Sequence, residues 1–236
     1  MKLSWIFLPL LLVLLASCAA EQYRLPDLVG VQEIGGDHTC RELFPQGNYH
    51  FVHSIDFSME NGAGSTVIGI TTLSGTSFEC ALVTVEGFTL FQAVYRGEEG
   101  LEVQRAVPPF DNPGFAEGLV DDIRAIFQPP ASITTRKGTF AGGDSVCRHI
   151  DQDGRVVDLL LQKVGEDETD GCWQVNYYGA DLTLERTISG YQCKKIGSSL
   201  IPEFLKLTSY AHGGLAGKRG YSLKMKLIRV DNLNEI

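Results

Sequence analysis

The sequence predicts a mainly β protein, one curved antiparallel sheet of roughly ten strands with a single short amphipathic helix. Apolar and polar residues alternate from Phe51 to Glu60, the pattern of a strand with one buried face. Further strand-like segments follow, separated by Gly-containing turns that favour hairpins. Between Phe115 and Phe127 the apolar spacing becomes that of a helix, which Pro129 and Pro130 end.

Five predicted strands form a meander before the helix. Their connections are short, which favours antiparallel neighbours joined by tight turns. Asp111 and Asn112 supply capping side chains for the helix, and Pro113 suits its first turn. The five strand segments are 51–60, 65–74, 78–85, 88–96 and 101–107.

The helix is predicted to lie on the sheet as a lid, because one stripe of it is apolar while Glu117, Asp121 and Arg124 lie away from that stripe. Its small Gly118 and its short length suit an element that moves. The apolar stripe consists of Phe115, Leu119, Ile123, Ile126 and Phe127.

Strands resume after the helix, and the last of them alternates most regularly. Tyr221, Leu223 and Met225 are separated by single polar residues, so we expect them on one face. The stretch between Tyr178 and Ile201 shows no clear period and is predicted to be less regular. The predicted strands are 145–150, 155–164, 172–178, 203–210 and 221–230.

The N-terminus has the pattern of an export signal. An apolar run from Trp5 to Leu15 follows the positive charge of Lys2, and it is too short to span a bilayer. Residues 15–18, Leu-Ala-Ser-Cys, resemble the lipobox of bacterial lipoproteins. That resemblance implies cleavage before Cys18 and attachment of palmitate and other acyl chains there. The alternative is a plain secretory signal with a chance cysteine.

The resulting division of the chain has three parts. Residues 1–17 are the predicted lipoprotein signal peptide, 18–45 a lipidated tether, and 46–236 the folded domain. Residue 19 is alanine, whereas an aspartate at this position would resemble the inner-membrane retention signal of enteric bacteria. We therefore expect a lipid-anchored protein of the bacterial outer membrane that faces the periplasm.

Charge limits the possible partners. Removal of the signal peptide leaves 19 basic against 29 acidic residues. A nucleic-acid partner would require a basic face, so none is expected. Attraction to anionic lipid is excluded for the same reason. The lipid at Cys18 must then provide the membrane attachment.

Five cysteines follow Cys18, and an odd number cannot all pair within one chain. Their spacing fits no haem or zinc pattern, so no metal and no cofactor is expected. Cys172 and Cys193 are one possible disulfide. The five are Cys40, Cys80, Cys147, Cys172 and Cys193.

Catalytic motifs are missing from the sequence. There is no nucleophile elbow, zinc-protease motif, phosphate-binding loop or dinucleotide fingerprint. The five histidines are scattered along the chain. We therefore expect a protein that is not an enzyme.

One face of the predicted sheet is rich in large apolar groups, too many for a short helix to cover. That face is either a plain core, closed by the sheet curling on itself, or the lining of an incompletely filled cavity. The residues predicted to line it are Phe51, Ile55, Phe57, Met59, Trp173, Val175, Tyr177, Tyr221, Leu223, Met225 and Leu227.

Three C-terminal segments resemble the LolB family of outer-membrane lipoproteins. They are residues 171–183 with the W-x-V-x-Y strand, 201–210 with a proline-led strand, and the closing strand in 219–233. The middle of the chain is similar to uncharacterised lipoproteins thought to share the LolA/LolB fold. The resemblance spans residues 49–230. It implies a half-barrel of roughly 10 to 11 strands, closed by helices around a cavity for acyl chains.

The resemblance also implies a ligand: the acyl chains of a lipoprotein, a lipid or another apolar molecule, exchanged with a periplasmic carrier or exporter. LolB inserts its cargo through a protruding loop with a leucine between proline and glycine. The candidate loops here hold Leu73 or Val85 and Phe88, and neither matches that pattern. The alternative function is an accessory lipoprotein that does not transport and serves as a scaffold for an envelope partner.

Overall fold

The structure is a computed structural model that describes residues 24–34, 40, 43–161, 171–197, 199–210 and 220–234. These residues form one 13-stranded antiparallel sheet, curved and unclosed, and one α-helix, α1, at Pro113–Phe127. The mainly β fold class is confirmed, whereas the expected strand number was too low. The strands are β1 Val29–Glu33, β2 Tyr49–Met59, β3 Gly64–Ser74, β4 Ser77–Val83, β5 Thr89–Tyr95, β6 Leu101–Ala106, β7 Thr134–Thr139, β8 Ser145–Ile150, β9 Val156–Leu161, β10 Gly171–Tyr178, β11 Leu184–Ile196, β12 Ser199–Ser209 and β13 Tyr221–Asn232.

The sheet consists of two meanders placed side by side. β2 to β6 form one, β7 to β13 form the other, and the last strand of the second pairs with the first strand of the first. β1 pairs with β7 and forms one edge, while β6 forms the other. α1 is therefore the connection that joins the two outer regions of the sheet, from β6 to β7.

Three strands differ from the sequence prediction. β1 and β7 lack a regular apolar face: every residue of β1 is exposed, and Gly138 alone is fully buried in β7. β11 occupies the stretch expected to be irregular. Its buried face contains Gly190, which lies against the ring of Trp173, so a strand position carries no apolar side chain. Periodicity cannot detect such strands.

The helix has the ends that its sequence predicts. The Asn112 side-chain oxygen accepts a hydrogen bond from the Gly114 N–H at 3.0 Å, which caps the first turn. At the other end the N–H of Gln128 donates to the carbonyl of Arg124 before the chain leaves the helix. The described residues hold no helix long and apolar enough to cross a membrane.

Residues 24–34 and Cys40, within the segment expected to be a tether, contact the folded body. The Leu25 N–H donates to the Leu182 carbonyl in the β10–β11 turn. Arg148 donates to the Pro26 carbonyl at 2.7 Å while its guanidinium also pairs with Asp158. β1 then adds to the sheet edge. The predicted signal peptide and Cys18 lie outside the described residues.

Two disulfides connect the described cysteines. One joins Cys172 to Cys193, the pair suggested by the sequence, between β10 and β11. The other joins Cys40 to Cys147 across 107 residues and ties the N-terminal segment to β8. Cys80 is a buried free thiol.

Candidate functional site

The C-terminal end of α1 contacts the inner face of β2 through aromatic rings. Phe127 stacks on Phe51 with ring centroids 5.0 Å apart. The ring of His53, two residues further along β2, lies 6.0 Å from Phe127. All three side chains are buried. The stack fixes this end of the helix to the middle of the sheet.

The N-terminal end of α1 has its own aromatic contacts. Phe115 lies edge-to-face against Phe91 of β5 at 5.6 Å and against Phe110 at 5.0 Å. Arg124, further along the helix, lies over the ring of Tyr95 at 5.5 Å. The helix therefore crosses the concave face with apolar contacts at both ends.

Between these ends a polar cluster holds α1 against the second meander. The Asp122 carboxylate pairs with the Arg186 guanidinium of β11 at 3.1 Å. The Tyr221 hydroxyl of β13 lies 2.7 and 2.9 Å from its two oxygens. Tyr177 of β10 donates its hydroxyl to the Ala125 carbonyl at 2.8 Å. Three strands thus bind one helix by polar contacts; we call Asp122, Arg186, Tyr177 and Tyr221 the latch.

Burial decides the electrostatics of the latch. Loss of solvent raises the pKa of Asp122 above the ordinary aspartate value, and the Arg186 charge and the Tyr221 hydrogen bond oppose part of that rise. Burial likewise raises the pKa of Tyr177 and of Tyr221, so both phenols keep their protons and can donate. Arg186 Nε is buried without a hydrogen-bond partner among the described residues. The latch is incompletely satisfied, which makes it costly to bury.

His53 is a buried titratable group beside the aromatic stack. Burial lowers its pKa from 6.5 to about 4. The imidazole is therefore neutral at neutral pH and packs as an aromatic ring against both Phe51 and Phe127.

The pocket that the described residues line beneath the C-terminal end of α1 is small. An interior pocket of about 10 Å³ remains at the C-terminal end of α1, which is room for about one water molecule. Its walls are apolar apart from His53 and the indole of Trp173, whose N–H is buried without a partner in the described residues. The lining residues are Leu43, Pro45, Phe51, His53, Ile126, Phe127, Trp173, Leu200, Ile201, Pro202 and Leu205.

Comparison with solved structures identifies the fold. A crystal structure of a LolA superfamily protein from Nitrosomonas europaea matches with a TM-score of 0.51 at 12% identity, covering 80% of this chain and 88% of that chain. The fold is LolA-like. A domain from Vibrio parahaemolyticus, named for outer membrane lipoprotein sorting, matches with a TM-score of 0.46 at 11% identity, over 80% and 87% of the two chains. A DUF1329 family protein from Desulfovibrio piger matches with a TM-score of 0.40 at 7% identity and the same coverage.

No protein-family model and no curated protein matches the sequence. The LolA-like fold is therefore recognised from the arrangement of strands, at an identity too low to compare individual residues.

The predicted cavity residues share one side of this LolA-like sheet, and the pocket that two of them line among the described residues holds about 10 Å³. Phe51 and Trp173 line the interior pocket, and Val175 and Met225 are buried in the core. Five others are partly buried and pack against the core: Ile55, Tyr177, Tyr221, Leu223 and Leu227. Phe57 and Met59 are also partly buried.

The predicted lid residues all lie on α1 against the concave face. Ile123, Ile126 and Phe127 are buried, and Phe115 and Leu119 are partly buried and contact the core.

The protruding-loop candidates separate into two groups. Leu73 is only 3% exposed and pairs with Phe78 inside the β3–β4 hairpin, so its assignment to a protruding loop was wrong. Val85 and Phe88 are each 71% exposed in the β4–β5 turn. Apolar side chains at a hairpin tip are free to meet another surface.

Sequence reasoning placed Tyr177 and Tyr221 on the inner face but missed Asp122, Arg186 and the role of His53. Asp122 carried a signal: it lies between Leu119 and Ile126, at helical spacing on the flank of the apolar stripe. Arg186 carried none, because its strand has no recognisable period. Polar residues that are buried by a partner far away in sequence cannot be found from local pattern.

Proposed function

We propose that this chain is an outer-membrane lipoprotein, anchored through Cys18, that binds acyl chains of a lipoprotein or lipid between α1 and the concave face of its sheet. The supporting observation is the way the helix is held. α1 covers the concave apolar face and is fixed in its middle by a buried polar latch. No catalytic step is part of the proposal.

The latch suits a helix that moves. A purely apolar interface of the same shape is often as stable as a buried ion pair, or more so. Asp122 and Arg186 can regain water when the helix lifts, which offsets part of the cost of separating them. Lifting α1 exposes the concave face, including Phe51, Trp173 and Met225, and provides the volume that the closed form lacks.

The comparisons support this proposal through the fold alone. The Nitrosomonas protein named as a LolA superfamily member has a sheet and helix arrangement over 88% of its length that matches this chain. In this chain the matching arrangement is a curved, unclosed sheet with one helix. Envelope localisation and the lipid anchor rest on residues 1–19 of the sequence.

Native mass spectrometry of residues 19–236, secreted without the anchor and incubated with palmitate, tests the binding. We expect one bound acyl molecule per chain. Ile123→Trp fills the space under the helix and should reduce occupancy about tenfold, the equivalent of about two buried methylenes. Glu117→Trp, on the exposed side of the same helix, is the matched control and should leave occupancy unchanged.

A second candidate function is a scaffold for an envelope partner. The observation that favours it is the filled interior, with about 10 Å³ left at the end of α1. In that case the helix is ordinary core and its replacement by larger side chains lowers stability alone. A wild-type chain that stays empty at palmitate concentrations saturating a known carrier supports the scaffold.

A further inference from the structure

The sheet is open between β12 and β13 over part of their length. The two strands pair from Phe204 opposite Lys226 to Ser209 opposite Tyr221. Before Phe204, residues 199–202 pair with β11 alone, and after Lys226 the chain pairs with β2 alone. We call the opening between residues 199–203 of β12 and 227–230 of β13 the sheet window.

Two local features separate the strands at this point. Pro202 has no N–H to donate to a neighbouring strand, and it lies two residues before the pairing begins. On the other side Ile228 is the extra residue of a bulge, because Leu227 pairs with His53 while Arg229 pairs with Val52. Bulges bend a strand and increase its twist. Each side of the window thus has a feature that keeps the strands apart: Pro202 on β12 and the bulge at Ile228 on β13.

The far end of the window is closed by a side chain. Tyr49 belongs to β2, opposite Asn232 of β13. Its hydroxyl donates to the Ile196 carbonyl at 3.1 Å and lies 3.2 Å from the Ser199 hydroxyl. Tyr49 and Ser199 are both fully buried. The paired ladder at one end and this hydrogen-bonded tyrosine at the other form a fixed frame.

The window contains a cavity of about 250 Å³, far larger than the interior pocket. Five aliphatic side chains form its wall and three charged groups form its rim. Ile228 is 58% exposed at the mouth, so the apolar surface is open to the outside. The lining residues are Ile196, Ile201, Leu227, Ile228, Val230, Lys194, Glu203 and Arg229.

Ile201 connects the window to the interior. Its side chain is buried and lines both the window and the interior pocket beneath Phe127. The two spaces are therefore separated by the thickness of one aliphatic side chain. An apolar chain that enters the window is aimed at the region where α1 is stacked on β2.

The charges at the rim suit an anionic head group. Lys194 pairs with Glu203 at 2.8 Å and Arg229 pairs with Asp231 at 2.8 Å, and both cations are largely exposed. Exposed pairs of this kind are weak, so a carboxylate or phosphate can replace the protein's own acid at little cost. An aliphatic slot with cations at its mouth matches an acyl chain with an acidic head.

We propose that an acyl chain with an anionic head binds through the sheet window, with its tail against Ile201 and its head at Lys194 and Arg229. This inference rests on the proposed function and adds to it an entry route through the sheet, separate from the space that opens when the helix lifts. A single alkyl chain fits between two separated strands, whereas a polypeptide with side chains on both faces does not fit a slot closed at both ends.

Photolabelling of the full lipoprotein, purified from membranes and placed in nanodiscs, tests the route. The probe is palmitate with a diazirine near the end of its tail, and labelled residues are located by peptide mass spectrometry. We expect label on peptides that contain Ile201 and Leu227. Ile201→Trp should reduce that label about tenfold by filling the slot. Lys206→Trp, exposed on the same strand, is the control.

A second variant tests the window at an exposed position, where a substitution should leave the fold intact. Ile228→Asp changes an exposed side chain and adds a negative charge at the rim, so it should weaken labelling while the melting temperature stays the same. Label that is confined to α1 and the concave face, and unchanged in both variants, overturns the window while the proposed function stands. Absence of label anywhere in the wild type, at concentrations that label a known acyl carrier, overturns both.

Discussion

Phe127, the last residue of α1, stacks on Phe51 of β2 with ring centroids 5.0 Å apart and an interplanar angle of 26°. The contact joins residues 76 positions apart in sequence and lies directly over the interior pocket. It is the point at which the helix, the centre of the sheet and His53 meet. Loosening this stack should therefore affect both stability and access to the concave face.

Phe127→Ala tests the stack. The substitution leaves a cavity that the neighbouring side chains do not fill, so it should lower the free energy of unfolding by about 3 kcal/mol. Hydrogen exchange should become faster in the last turn of α1, and an acyl probe should bind faster. Glu117→Ala, on the exposed side, is the control. Equal exchange rates in wild type and variant would show that the stack does not hold the helix.

His53 should make stability depend on pH. The pKa of His53 is about 4 in the folded protein, below the ordinary value of 6.5. Between pH 4 and pH 6.5 the unfolded chain therefore binds the proton more readily than the folded protein does. Stability is complete above pH 6.5, falls as pH decreases, and loses about 3 kcal/mol by pH 4. Urea unfolding between pH 4 and 7 measures this slope.

The control for that experiment is a pair of variants. His53→Phe should remove the pH-dependent loss between pH 4 and 6.5, because a neutral ring remains in the aromatic stack. His50→Gln changes a histidine whose side chain is on the other face of β2, beside Thr72, and should keep the slope. An identical slope in the wild type and the His53 variant contradicts the assignment.

The latch predicts non-additive effects. Asp122→Leu leaves the half-buried Arg186 without its ion-pair partner and should cost about 3 kcal/mol of stability. The double change Asp122→Leu with Arg186→Met removes both charges and should cost far less, with a coupling of at least about 1 kcal/mol in a double-mutant cycle. The double variant should also bind an acyl probe more slowly, because an apolar interface keeps the helix closed. Simple additivity of the two changes counts against a latch.

Much of the fold follows from local pattern. The strands β2, β3 and β4 alternate between more and less buried residues, and α1 has a cap, an apolar stripe and terminating prolines. Each of these is decided by residues close together in sequence. β7 and β11 are decided instead by their neighbours: β7 is held between β1 and β8, and β11 supplies the glycine on which Trp173 lies.

The candidate site was less predictable than the fold. Which residues face the helix can be read from alternation, but the volume left between them depends on packing across several strands. The sheet window is the clearest case. Pro202 is visible in the sequence, whereas its effect requires that Ile228 form a bulge on the neighbouring strand.

The disulfide between Cys40 and Cys147 should contribute substantially to stability. It closes a loop of more than a hundred residues, and the chain-entropy model assigns about 5 kcal/mol to a loop of that size. Cys40→Ala with Cys147→Ala should therefore lower the urea midpoint strongly, and reductant should lower the wild-type midpoint further still, because it also breaks the disulfide between Cys172 and Cys193. Cys80→Ala is the control, since burial raises the pKa of that free thiol to about 11 and keeps it unreactive. A double variant as stable as the wild type would contradict the role of this bridge.

The lipid anchor is tested by two changes that affect different steps. Cys18→Ala removes the sulfur that we propose carries the lipid, so radiolabelled palmitate should no longer be incorporated and the chain should be absent from the outer-membrane fraction. Ala19→Asp keeps the sulfur but introduces the residue that resembles an inner-membrane retention signal. In an enteric host it should retain palmitate and move to the inner membrane. A Cys18→Ala chain that remains in the outer membrane after a high-salt wash refutes the lipobox.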